Sequence, residues 1–218
     1  MPAQQPKDCT VRWLAAAGIA ASLGDVLLVV WLGSLDPDYS YPRQYVSELL
    51  EPGRPYAGLY AAWCVVWGIL FAAFAIALGR GLQGSKGAWL GPAALLVLAP
   101  AGMVVGFFPC DPGGEAHSLS GQIHLLVGGW ISTIAIILAP LLSWVAMRNS
   151  EAWRSYRVAT LVTGLLLAVF AGCLAVGHYG NFDRSTYPAG LLQRLLMGIF
   201  YIWVAAVAIR IACGGSPR

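Results

Sequence analysis

Arg12-Trp-Leu-Ala-Ala-Ala-Gly-Ile-Ala-Ala-Ser-Leu-Gly-Asp-Val-Leu-Leu-Val-Val-Trp-Leu-Gly33 is a run of 22 residues whose only charge after its first residue is Asp25. At about 1.5 Å of rise per residue, such a helix crosses a hydrocarbon core of about 30 Å. The lead before it is weakly basic, with Lys7 and Arg12. The run is too long for the apolar core of a signal peptide and has no clean cleavage site, so it reads as a retained first span. Comparable runs follow at about 56–79, 88–108, 122–146, 157–177 and 189–212. They lack period-two alternation and are twice as long as a barrel strand, which selects helices over strands. The expected fold is an all-α integral membrane protein, a single-domain bundle of six transmembrane helices over residues 1–218.

Composition points the same way. Hydrophobic residues make up 58% of the chain and charged ones 11%, against about 25% charged in a soluble domain. A soluble domain this apolar would expose large adhesive patches. The net charge is only +3, and the basic residues lie between apolar runs, not in one patch, so nucleic acid is not an expected partner. The five cysteines are scattered singly with no CxxC, which implies neither a disulfide framework nor a cysteine-rich zinc site.

Six spans sort the loops onto two sides. One side collects Lys7, Arg12, Arg80, Lys86, Arg148, Arg154, Arg157, Arg210 and Arg218, nine of the thirteen basic residues; the other has Arg43, Arg54, Arg184 and Arg194. The positive-inside rule makes the first side cytoplasmic, with both termini there, and places the protein in the cell membrane. The outer side then carries seven of the ten acids and all three histidines. A faint echo joins Asp38-Tyr-Ser-Tyr-Pro42 to Asp183-Arg-Ser-Thr-Tyr-Pro188, as internal repeats do in transporters.

The polar break Phe107-Phe-Pro-Cys-Asp-Pro-Gly-Gly-Glu-Ala-His117, running on to His124, is the densest chemistry in the chain. His117 and His124 would share a helix face if the fourth helix began at Gly114 or Glu115, but two turns (about 10.5 Å) is too far for both to hold one zinc. Asp111, His117 and His178 make a more reachable metal set, with a divalent ion such as zinc. The competing reading is an interfacial histidine that bonds a loop. Asp111-Pro-Gly-Gly also reads simply as a turn in which the aspartate bonds following amides. Asp25 is a mid-span acid, expensive in lipid unless neutral or paired, and so a functional candidate. Gln193 and Arg194 sit just inside the sixth span, where the guanidinium could clamp an anion or snorkel. Ser47 and Glu48 lie in the first outer loop on a segment, Tyr45–Leu50, that reads as an interfacial helix, but no nucleophile elbow surrounds Ser47.

Three sets of residues, Tyr39-Ser40…Ser47-Glu48-Leu49, Phe108-Pro-Cys-Asp111…His117…His124 and Gly190-Leu-Leu-Gln-Arg194…Trp203, together resemble bacterial and archaeal membrane proteins of the "domain of unknown function 998" family. The resemblance covers essentially the whole chain. It implies a six-span integral membrane protein and supplies no reaction.

The resulting expectation is an outward-facing polar cavity between spans 1, 4, 5 and 6 that binds or processes a lipid-like, amphipathic ligand. His117, His124, Asp111 and Glu48 are its candidate catalytic residues, by acid–base or metal-assisted chemistry of a hydrolase or transferase. Arg194, Gln193, Asp25 and His178 are its candidate ligand-binding residues. The alternatives are a proton-coupled transporter working through Asp25, a haem protein ligated by His124 and His178, and a structural or partner-binding protein. Expected partners are membrane lipids and the amphipathic ligand, with a homo-oligomer as the alternative to a monomer.

Overall fold

A computed structural model describes residues 9–180, 182–183 and 186–213. Lys7, Arg184 and Arg218 from the charge pattern, and Arg184 and Ser185 of the Tyr-Pro echo, lie outside these described residues. Six helices are long and apolar enough to cross a membrane: α1 Cys9–Leu35, α2 Ala57–Gly81, α3 Leu90–Phe107, α4 Leu119–Met147, α5 Arg157–Tyr179 and α6 Ala189–Ala212. No β-strand occurs among the described residues. The expected six-helix membrane fold is therefore present.

The helices form a closed ring in chain order. Each packs on its neighbours in sequence, α6 closes onto α1, and a minor contact crosses the ring between α2 and α6. Small residues allow the closest approach, between α2 and α3. A Cβ on Gly68 would sit 2.5 Å from the Ala99 carbonyl oxygen, and one on Gly106 would sit 2.6 Å from that of Ala61. In lipid, where burying apolar surface gains nothing, such close backbone packing is a main source of helix association. Pro100 in α3 and Pro140 in α4 are accommodated inside their helices, as a surrounding bundle permits.

The two ends of the ring differ. The end with links 82–89 and 148–156 is filled by Phe71, Phe74, Leu78, Phe200, Val204 and Met147, all fully buried. There Trp153 donates from Nε1 to the Gly81 carbonyl at 3.1 Å, Arg210 lies 5.7 Å from the Trp153 ring, and Arg12 donates to the Ala212 carbonyl at 2.9 Å. The other end carries segments 36–56 and 108–118, together with residues 182–183 and 186–188, and is not filled.

Helix α4 contains the main irregularity. It starts at Leu119, capped by Ser118, whose hydroxyl accepts the Gly121 N–H at 3.0 Å. His117 thus precedes the helix, and the arrangement in which His117 and His124 share one helix face does not occur. Across Leu125–Ile131 the helix widens to a π-type turn. The Ser132 N–H reaches back five residues to the Val127 carbonyl, and its hydroxyl bonds the same oxygen at 2.9 Å. Gly128 and Gly129 lie inside this turn, and such turns often mark functional sites.

Candidate functional site

The unfilled end encloses a cavity of about 480 Å³, within the roughly 300–1,000 Å³ typical of small-molecule sites. All six helices border it, as do Tyr45–Ser47, Cys110 and Gly114–Glu115. Its wall is thus wider than the four spans expected, with α2 and α3 contributing Tyr60, Trp63, Trp67, Leu98 and Val105. Its lining is mainly apolar, where the sequence reading expected a polar cavity.

Of the eight candidate residues, four border the cavity: Asp25, His124, His178 and Gln193. Asp25 is 4% exposed and lies ten residues before the end of α1, so about 15 Å below the loop end. Its Oδ1 accepts the Trp63 Nε1–H at 3.0 Å and the Tyr60 hydroxyl at 3.3 Å; its Oδ2 accepts the Tyr201 hydroxyl at 2.8 Å. Tyr201 in turn accepts from Trp67 Nε1 at 3.2 Å. Arg194 and His124 are not among the groups bonded to Asp25. His124 is buried, and its Nδ1 lies 2.8 Å from the Phe108 carbonyl oxygen. A carbonyl only accepts, so Nδ1 carries the proton and Nε2 is left as an acceptor facing Gly128. The His178 ring packs edge-on against Tyr179, with centroids 4.7 Å apart. Gln193 Oε1 accepts the Val46 N–H at 2.6 Å.

The other four build the loops around the cavity. Asp111 Oδ2 accepts the backbone N–H groups of His117 and Ser118, both at 2.7 Å, and Oδ1 accepts the Ser118 hydroxyl at 2.6 Å. The carboxylate fits because residue 121 is glycine; a Cβ there would collide with it. Gly113 and Gly114 complete the turn with φ of 74° and 68°, a backbone that glycine adopts without steric cost. His117 is exposed beside this turn. Among the described residues no three His, Cys, Asp or Glu side chains are grouped to hold a metal ion, so Asp111, His117 and His178 do not come together as a metal centre. Glu48 accepts the Tyr45 N–H at 2.8 Å and the Gln44 side-chain amide at 3.1 Å, holding the short helical turn Val46–Leu50.

Arg194 does not border the cavity either, and its clamp is closed on the protein itself. Nη1 donates to the carbonyls of Tyr41 at 2.7 Å, Gln44 at 2.9 Å and Gly190 at 2.9 Å; Nη2 donates to the Tyr39 hydroxyl; and the carbon of the guanidinium lies 5.4 Å and 5.2 Å from the Tyr39 and Tyr41 rings. Hydrogen bonds to charged groups contribute roughly 1.5–3 kcal/mol each, so this residue anchors the first loop to α6. Burial pushes the Tyr39 phenol up to about 12, against the pull of Arg194.

Sequence reasoning missed the residues that join the two loops. Glu51 accepts the Gly113 N–H at 2.6 Å and the Gly114 N–H at 3.3 Å, and is itself held by Arg54 at 3.1 Å; Arg54 also pairs with Asp36 at 3.0 Å. Cys110 is buried beneath this network with its thiol against the Ser47 carbonyl at 3.4 Å. Burial, then the charges of Glu51 and Glu48, push the thiol up to about 12, so it is not a ready nucleophile.

The Asp111 turn yields a test with a defined sign. The Ser118 hydroxyl, followed by the backbone N–H groups, lowers the Asp111 carboxyl below its ordinary value of 3.8. A lowered carboxyl stabilises the fold above its unfolded-state value, and that contribution disappears as pH falls through the folded value. Asp111→Asn is therefore expected to lower the melting temperature at pH 7, and the gap to the unmodified protein closes as the buffer is taken through the carboxylate range and below. A gap that persists unchanged in acid contradicts the assignment.

Comparison with known proteins adds one match. No curated protein and no solved structure matches the chain. The model of a family described as "Protein of unknown function (DUF998)" matches residues 19–210, most of the chain, including every residue quoted above for that resemblance. The chain belongs to the DUF998 family.

Proposed function

We propose that this protein is a binding protein for a lipid-like, amphipathic molecule, held in the cavity at the loop end of the helix ring. The observation that carries this reading is the combination of a cavity of about 480 Å³ with a mainly apolar wall and polar groups that include Asp25, His124 and His178. The packing of the ring on one side supports it. Helix α5 packs on α6 and on the second half of α4, whereas the first half of α4 packs on α3. Between the first half of α4 and the end of α5, contact is made by Trp130 and Tyr179, which stack at 5.7 Å and share an Nε1–H to hydroxyl bond of 3.0 Å. Both are exposed and both border the cavity. Binding has more support than catalysis, because His124 is the single candidate catalytic residue that borders the cavity.

Gly172 offers a direct test. It borders the cavity, and a Cβ placed on it would meet nothing within 4 Å, so a larger side chain is accepted at the cavity wall without a backbone clash. A neutral fluorescent dodecyl glycoside should bind the protein in sterol-glycoside micelles, above the level in empty micelles. Gly172→Phe should weaken that binding about tenfold or more while leaving the melting temperature close to that of the unmodified protein. Equal binding by both proteins would remove the cavity from the account.

Orientation forms part of the same reading. The loop end faces the outside of the cell membrane, and both termini face the cytoplasm, on the strength of the nine-to-four division of basic residues. A fluorescent-protein fusion after Arg218 should fluoresce, and an alkaline phosphatase fusion there should be inactive. The opposite pair of results reverses the topology.

A further inference from the structure

A hydrocarbon tail that leaves the bilayer for an apolar cavity exchanges one oily environment for another and gains little. The polar groups on the cavity wall therefore decide which molecule stays. No lysine or arginine borders the cavity among the described residues, so an anionic head would meet no fixed counter-charge. Of the two acids that border the cavity among the described residues, Glu115 lies in a loop and Asp25 inside a span. Asp25 is held by three neutral donors from α2 and α6, Tyr60, Trp63 and Tyr201, which leaves part of the roughly four lone-pair positions of a carboxylate unused. Tyr60, Trp63 and Trp67 border the cavity beside it. A carboxylate among electron-rich rings, with no cationic side chain bonded to it, is the chemistry that receives an organic cation.

We infer that the cavity floor takes the ammonium head of an amphipathic amine, with Asp25 as its counter-ion, the neighbouring aromatic rings as its walls and the apolar upper cavity around its tail. This rests on the reading of the cavity as a ligand site. His124 stands higher in the cavity and bonds the Phe108 carbonyl, and Glu115 borders the mouth. Asp25 is thus the acid at the depth of the floor, where water competes least for a cation.

The test is competition at the unmodified protein in sterol-glycoside micelles. Dodecyltrimethylammonium, dodecyl sulfate and unlabelled dodecyl glycoside are compared as displacers of the neutral fluorescent dodecyl probe. The ammonium compound should act at about a tenfold lower concentration than either of the others. Asp25→Asn keeps the size of the side chain and an acceptor oxygen; it should lose the preference for ammonium, read as the ratio of the ammonium and glycoside concentrations that displace the probe. Sulfate or glycoside competing as well as ammonium, or an Asn variant that keeps the preference, overturns the inference. The head-group order in the unmodified protein decides the matter even if the variant does not fold. Neutral probe binding that occurs without any head-group order leaves the cavity reading standing and removes only this inference; no binding of the probe at all removes both.

Discussion

The interaction on which the ring depends is the set of hydrogen bonds around one carboxylate at mid-membrane depth. Asp25 on α1 receives donors from α2 and from α6, and α6 is the helix that closes the ring onto α1. Interhelical hydrogen bonds in lipid average about 0.6 kcal/mol and reach about 2 kcal/mol, so three of them are a meaningful part of the association energy. The larger effect is one of register. A buried acid without its donors costs far more than the bonds contribute, which ties α1 to one depth and one rotation against its two neighbours.

Around that anchor the ring is asymmetric. Large aromatic and aliphatic side chains fill the end with the short links, and the other end holds a cavity roofed by two loops. The roof is polar and internally neutralised: Arg54 with Asp36 and Glu51, Glu51 with the glycine amides of the 108–118 segment, and Arg194 with the carbonyls of the first loop. These groups spend their hydrogen-bonding capacity on one another. Of the eight candidate residues, the four that border the cavity, Asp25, His124, His178 and Gln193, lie in the spans and not in the loops. The π-type turn in α4 contributes by carrying Gly128, Gly129 and Trp130 to the cavity wall.

Much of this was legible in the sequence. The six spans follow from run length and the absence of alternation, and their observed bounds differ from the expected ones by at most three residues. Asp25 stood out because an acid inside a 22-residue apolar run is expensive unless it is neutral or paired. Its partners did not stand out, since Tyr60, Trp63 and Tyr201 look like any aromatics of a membrane-interface belt until their donors are seen to converge. Arg194 was visible as an isolated cation near a helix start, but sequence cannot distinguish a guanidinium that waits for a ligand from one that holds three backbone carbonyls. For Asp111 and His117 the sequence left two readings open, a shared site and a plain turn. Proximity in sequence to His124 suggested shared chemistry, whereas the turn directs Asp111 to backbone amides and leaves His117 exposed.

The central claim is that the loop end of the ring is a ligand cavity that reaches down to Asp25. An experimental structure in lipid nanodiscs, solved from protein purified without added ligand, examines it most directly. The account predicts elongated density running from the loop end, past Trp130 and Tyr179, and ending beside Asp25. A cavity closed by side chains, or one holding only ordered water from the loops to Asp25, would contradict it.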